Sequence, residues 1–172
     1  MELRKINLVD AAAQWEYTAS LPADENGLTN PWHGVSYEEY AAKVLPLQLS
    51  YEHPVGMPDW FVPESYYYLW DGGRLIGEFR IRHRLTEALR KGAGHIGYSI
   101  RREERGRGFG TEGLRLTLEI ARRIIPEDEI YLRVNRDNIA SLRVMLHNGA
   151  RLAGEDAEHF FLRIAKTVPE DA

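Results

Sequence analysis

Arg101-Arg102-Glu103-Glu104-Arg105-Gly106-Arg107-Gly108-Phe109-Gly110-Thr111 joins a run of strand-like spacing to a run of helical spacing, and this junction limits what the chain can become more than any other stretch. Before it, His95 to Ile100 carries β-branched and aromatic residues at period two. After it, Leu114, Thr117, Leu118, Ala121, Ile124 and Ile125 recur at helical spacing until Pro126. A helix that begins on glycines offers unpaired backbone N–H groups and the positive end of its dipole, with no Cβ to hold an anion away. The guest that suits it is a phosphate.

Three phosphate-loop patterns compete with the plain alternative of a mobile, solvated Gly/Arg loop. Gly108-Phe109-Gly110-Thr111-Glu112-Gly113 fits G-x-G-x-x-G, the pattern of an NAD-binding protein. That fingerprint, however, needs its glycines directly after the strand, and Arg102 to Arg107 intervene. A P-loop needs Gly-Lys followed by Ser or Thr, which the chain lacks. The third pattern, Arg-x-x-Gly-x-Gly at Arg105, Gly108 and Gly110, resembles the pyrophosphate-binding motif of the GNAT superfamily of acyl-CoA-dependent N-acyltransferases. Downstream, a strand-like run over Ile130 to Asn135 is followed by a helical run from Asn138 to an Asn148-Gly149 stop. This is similar to the second half of the GNAT signature, whose coenzyme A contacts fall on Asn138 and Ser141. The likeness is specific over Gly94 to Leu152 and thin before Ser65.

A chain of 172 residues suits one domain over 1–172 and can bury roughly two thirds of its unfolded surface. A net charge of −4 argues against nucleic acid as a partner, while four arginines against two glutamates between Arg101 and Arg107 suit one small polyanion. Without cysteine there is no disulfide, thiolate metal site or cysteine nucleophile. The histidines show no His-Glu-x-x-His spacing, so no metal is expected. Neither a signal-length nor a membrane-length apolar run occurs, which makes a cytoplasmic protein with no membrane partner the expectation. A homodimer is compatible with this reading.

Taken in order, Leu3 to Leu8 alternates as a strand, and Asp10 is placed to cap a short helix. Ala23 to Gly34 reads as a loop, with Trp32 either over a groove or pinning the loop to the core. Ser36-Tyr37-Glu38-Glu39 is a capping box before a helix that Pro46 kinks or splits. Tyr51 to Pro63 is a second loop, anchored by Trp60 and Phe61. Ser65 to Trp70, Asp71-Gly72-Gly73 and Arg74 to His83 form a hairpin. On its second strand Glu78, Arg80 and Arg82 share one face, which is either solvated or turned to an acceptor cleft. Ala150 to Gly154 and His159 to Ile164 close the chain as another hairpin before a frayed tail at Pro169 to Ala172. This order predicts an α+β fold: a mixed, mostly antiparallel central sheet with helices on both faces.

The resemblance implies that acetyl-CoA is the co-substrate and that a primary amine of a small molecule, peptide or protein is the acceptor. Backbone around Gly106, Arg107, Gly108, Phe109, Gly110 and Thr111 would hold the pyrophosphate, helped by Arg105 and Arg102. Backbone of Ile100, Arg101 and Arg102 would pair with the pantetheine arm. A strand amide near Tyr98 would receive the oxyanion as the amine attacks directly, with no covalent enzyme intermediate. The acid tyrosine common in the family falls on Met145, a glutamate used by some members falls near Arg133, and another carboxylate or His position falls on Gly94. His95, Tyr98 and Glu78 remain as proton carriers. An acyl-CoA sensor without turnover is the competing function, and the NAD-binding protein is the third.

Overall fold

The computed structural model describes residues 1–58 and 60–166, so the tail at Pro169 to Ala172 lies outside the described residues. Its strands are β1 (Glu2–Lys5), β2 (Asp24–Glu25), β3 (Leu28–Thr29), β4 (Glu64–Asp71), β5 (Arg74–Arg82), β6 (Ile96–Ile100), β7 (Glu129–Asn135), β8 (Arg151–Glu155) and β9 (His159–Ala165). Its helices are α1 (Ala11–Ser20), α2 (Tyr37–Glu39), α3 (Leu45–Ser50), α4 (Glu87–Lys91), α5 (Phe109–Ile124) and α6 (Ile139–His147). An antiparallel sheet ordered β1-β4-β5-β6 stands beside a second ordered β7-β9-β8. Among the described residues no helix is long and apolar enough to cross a membrane.

The first sheet is covered on both faces, as the α+β reading expects. Tyr67 and Leu69 of β4 face a core made with Leu114, Leu118 and Ala121 of α5. Their neighbours Tyr66, Tyr68 and Trp70 face a second core with Tyr17 of α1, and with Tyr40, Val44 and Leu45. Period-two alternation puts successive aromatic residues into opposite cores, which is why β4 is buried along nearly its whole length. The β4–β5 turn is Gly72-Gly73 with φ of 53° and 81°, the double positive φ that a two-residue hairpin with native twist needs. Gly113 allows α5 to lie close on β5: a Cβ there would stand 2.2 Å from Phe79 Cζ.

Several local expectations change. The first strand ends at Lys5, short of Leu8. Asp10 precedes α1 but makes no side-chain cap; its carboxylate instead accepts from Asn7 Nδ2 at 3.0 Å. Ser36 Oγ does accept from the Glu39 amide at 3.2 Å, whereas the Glu39 carboxylate turns to Lys43. Pro46 does not break its helix. Tyr40–Val44 forms a wide π turn between α2 and α3, and the slack just before Pro46 accommodates its missing N–H. Trp32 packs against the second core and pins its loop. Of the expected anchors at the second loop, Phe61 packs on Tyr51 with ring centroids 5.0 Å apart, but Trp60 is 72% exposed.

Candidate active site

β6 and β7 touch at one end only. Gly94 bridges to Leu132, with the His95 amide donating to the Tyr131 carbonyl at 2.8 Å. Gly94 has φ +69°, and a Cβ on it would lie 2.3 Å from the Tyr131 oxygen, so only glycine fits this junction. Beyond it the strands diverge, and a cleft of about 750 Å³ opens between them. Hydrogen bonds at the two ends of β6 fix which way its backbone points: Arg82 N–H donates to the His95 carbonyl at 2.8 Å and Arg101 N–H to the Ile76 carbonyl at 2.9 Å. The register between them assigns Gly97 and Ser99 to the pairs bonded with β5. The amides and carbonyls of Ile96, Tyr98 and Ile100 therefore face the opening.

The β2–β3 hairpin roofs this cleft. Asn26 and Gly27 turn with φ of 55° and 78°. A Cβ on Gly27 would meet Asn135 of β7 at 3.1 Å, and one on Gly97 of β6 would meet Leu28 at 3.6 Å. From this roof Glu25 accepts both guanidinium ends of Arg105, at 3.0 and 2.5 Å, and lies 3.4 Å from Arg102. Hydrogen bonding from Arg105 holds the Glu25 carboxyl below its usual range. Ala23 to Gly34 is thus more than a loop. The Glu-Asn-Gly-Leu run at 25–28 carries an Asn-Gly hairpin signal that could have found it.

At the loop itself the arginines mostly support protein groups. Arg101 donates through Nε to the Leu75 carbonyl at 2.8 Å, and its guanidinium lies 5.2 Å above the Tyr17 ring. Arg105 donates through Nε to the Ile100 carbonyl at 3.0 Å. Arg107 pairs with the buried Glu104, which also accepts from Arg74 at 2.6 Å. The backbone is what remains for an anion. Gly108, at φ +84°, leads into α5 without a side-chain cap, and the first helical bond runs from the Glu112 amide to Gly108 O at 3.1 Å. The amides of Phe109, Gly110 and Thr111 consequently have no acceptor within the helix. A Cβ on Gly108 would meet nothing within 4 Å, so the space over this turn is open. A pyrophosphate fits that cradle.

The remaining predicted cofactor residues lie on the opposite wall. Asn138 Oδ1 accepts from the Ser141 amide at 3.1 Å, capping α6. Ser141 Oγ lies 2.6 Å from the Tyr98 hydroxyl, and Met145, one turn further, also lines the cleft. Tyr98 is stacked on Phe79 with centroids 5.4 Å apart; burial pushes its hydroxyl up to about 12, so it stays protonated. Of the proton carriers, Tyr98 alone lines the cleft.

His95 and Glu78 are placed differently from the expectation. His95 is fully buried, its Nδ1 accepting from the Tyr131 amide at 2.9 Å and its Nε2 facing Glu127 at 3.2 Å. Burial lowers its proton affinity despite Glu127, which leaves a neutral ring tying β6 to β7. His95→Ala is expected to cost about 1–3 kcal/mol of stability by orphaning the Tyr131 amide, with kcat/KM at 20 °C within threefold of wild type. Chemical denaturation beside initial rates checks it, and a large rate loss in a stable variant would return His95 to the chemistry. Glu78 is 8% exposed, so the solvated-face reading fails for it. It pairs in register with Ser99, a residue of the cleft wall, and lies 3.7 Å from Arg80 Nε. Burial raises its carboxyl, outweighing Arg80.

Among the described residues no three His, Asp or Glu side chains gather as a metal site. The family model for a GNAT acetyltransferase domain matches residues 2–151. Three solved structures share the fold. A ribosomal-protein-S5-alanine acetyltransferase from Vibrio fischeri is 19% identical, with 98% of this chain and 93% of that one covered and a TM-score of 0.67. A ribosomal L7/L12 alpha-N-protein acetyltransferase in complex with coenzyme A is 17% identical, with 95% and 92% covered and a TM-score of 0.69. A spermidine N-acetyltransferase from Vibrio cholerae in complex with coenzyme A and spermine is 16% identical, with 96% and 95% covered and a TM-score of 0.62. The splayed strands, the glycine-led helix and the family match agree, and the chain belongs to the GNAT family of acetyltransferases.

Proposed function

We propose that this chain, acting as one domain, transfers the acetyl group of acetyl-CoA to a primary amine by direct attack. The observation that carries the proposal is the cleft between β6 and β7, with the unpaired amides of Phe109 to Thr111 at one end and the outward-facing Tyr98 amide midway. The cradle amides would hold the pyrophosphate, and Ile100 would reach the pantetheine arm through its backbone. The Tyr98 N–H would donate to the developing oxyanion; one such preorganised donor is worth roughly 2.7–4 kcal/mol. The Tyr98 hydroxyl, beside Ser141 one turn before Met145, can hydrogen-bond the departing sulfur.

Glu78 serves as the carboxylate that accepts the amine proton, through Ser99 or a water rather than by contact. It works in its ionised form, so burial brings its proton affinity closer to that of the proton it must take.

Coenzyme A at a hundredfold excess over Kd is expected to stabilise the fold by about 2.7 kcal/mol, read as a rise in melting temperature. A panel of amines with acetyl-CoA should then release free thiol. No shift at millimolar coenzyme A would remove the co-substrate assignment. A shift without thiol release from any amine would favour the sensor reading that Met145 allows.

A further inference from the structure

The far end of the cleft is more cationic than an amine acceptor requires. Arg80 and Arg82 of β5 and Arg133 of β7 all line it. Arg80 lies opposite Gly97, three residues before Ile100 and so roughly 10 Å along the strand from the phosphate loop. These guanidiniums are therefore out of place for a pyrophosphate in the cradle. They are also poorly matched by carboxylates. Arg80 Nε is 3.7 Å from Glu78, Arg82 Nε is 3.8 Å from Glu64, and Arg133 takes no part in an ion pair or side-chain hydrogen bond among the described residues. The Arg80 side chain is 18% exposed, but its Nε is shut off from the surface and has no hydrogen-bond partner. Its guanidinium lies over Gly97, where a Cβ would be 3.7 Å from Nη2.

A cationic acceptor would meet these groups as like charges, and a guanidinium nitrogen shut off from water without a partner is costly. The chain as a whole carries −4, so the excess is local to this pocket. A planar carboxylate, or a phosphate, matches the guanidinium fork.

We infer that the acceptor is an amine carrying its own anionic group, bound by Arg133, Arg80 and Arg82 while its amine faces Tyr98 and Ser99; a free amino acid is the simplest such molecule. This rests on the acetyltransferase reading and narrows it to a substrate class.

Coenzyme A binding is measured first, so that a failure of the acetyltransferase reading is told apart from a failure of this one. Initial rates of thiol release are then compared for amino acids, their carboxamides, aminoalkyl phosphonates and spermidine. The best acceptor is expected to be an anion whose kcat/KM exceeds that of its neutral counterpart at least tenfold. A phosphonate ahead of the carboxylates keeps the proposal and identifies the anion as phosphate-like. Arg133→Gln should bring the carboxylate-to-carboxamide ratio close to one, and Arg133→Lys should restore part of it. The preference is also read without turnover, by calorimetric binding of N-acetyl amino acids and their amides to the coenzyme A-loaded protein. Equal affinities, a carboxamide or spermidine as the better acceptor, or an unchanged ratio in folded Arg133→Gln would overturn the proposal.

Discussion

Valine in place of Gly108 is expected to weaken coenzyme A binding about a hundredfold while leaving the protein folded. The φ of Gly108 is +84°, and an added Cβ would meet no neighbour within 4 Å, so the harm is conformational and not a clash. A β-branched residue held there costs of order 1–3 kcal/mol, and the turn would relax toward negative φ. That rotation swings the amides that follow it, Phe109 to Thr111, away from their common target. Hydrogen bonds to a charged group are worth roughly 1.5–3 kcal/mol each, so losing one or two of them gives about 3 kcal/mol, or roughly a hundredfold in Kd. Gly72→Val is the matched control: φ is +53°, the space is equally open, and the residue sits in the β4–β5 turn, outside the cleft wall. It should lose stability and keep its affinity. Calorimetry on both variants decides the matter, and a Gly108→Val protein that binds within threefold of wild type would place the phosphates elsewhere.

The loop was legible because glycine has so few reasons to appear three times in five residues at a strand-to-helix junction. The β4–β5 hairpin was legible for the same reason, since Asp71-Gly72-Gly73 permits little but a tight turn. Charge was less readable. Arg102 and Arg105 look like anion ligands in sequence, but folding gives Arg105 the Ile100 carbonyl and turns both toward Glu25, a carboxylate 80 positions from Arg105. A salt bridge of that span has no local signature. His95 shows the same limit: period-two spacing located the strand but could not show that a β7 amide would occupy its Nδ1. Period two puts Glu78, Arg80 and Arg82 on one face, but whether that face meets water depends on α1, which packs over β5 from more than 50 positions away.

The second large effect concerns the proton on the amine. An acceptor with a lysine-like pKa near 10.4 is only about 0.04% neutral at pH 7, a penalty of roughly 4.6 kcal/mol. The thiol of coenzyme A, with a pKa comparable to the ~8.5 of cysteine, leaves far more easily. Glu78→Gln is therefore expected to lower kcat/KM about a hundredfold, the low end of what a positioned base supplies. Met145→Tyr should change it by less than threefold. In the wild type, kcat/KM should rise with pH as Glu78 ionises, and this acid limb should vanish in Glu78→Gln. Stability must move the other way. The folded-state proton affinity of Glu78 is raised, so its protonated form is the one the fold favours, and the stability this lends is lost as pH rises through the folded value. Glutamine mimics the protonated form, so the variant should match wild type near pH 4 and become the more stable protein toward pH 8. Arg80, 3.7 Å away, opposes this by losing a partner, but burial is the larger influence on Glu78. A Glu78→Gln protein that is slower and also less stable at every pH would show that Glu78 is an ion-pair support for Arg80. A wild-type profile flat from pH 6 to 9, with Met145→Tyr much faster, would place the limiting proton on sulfur.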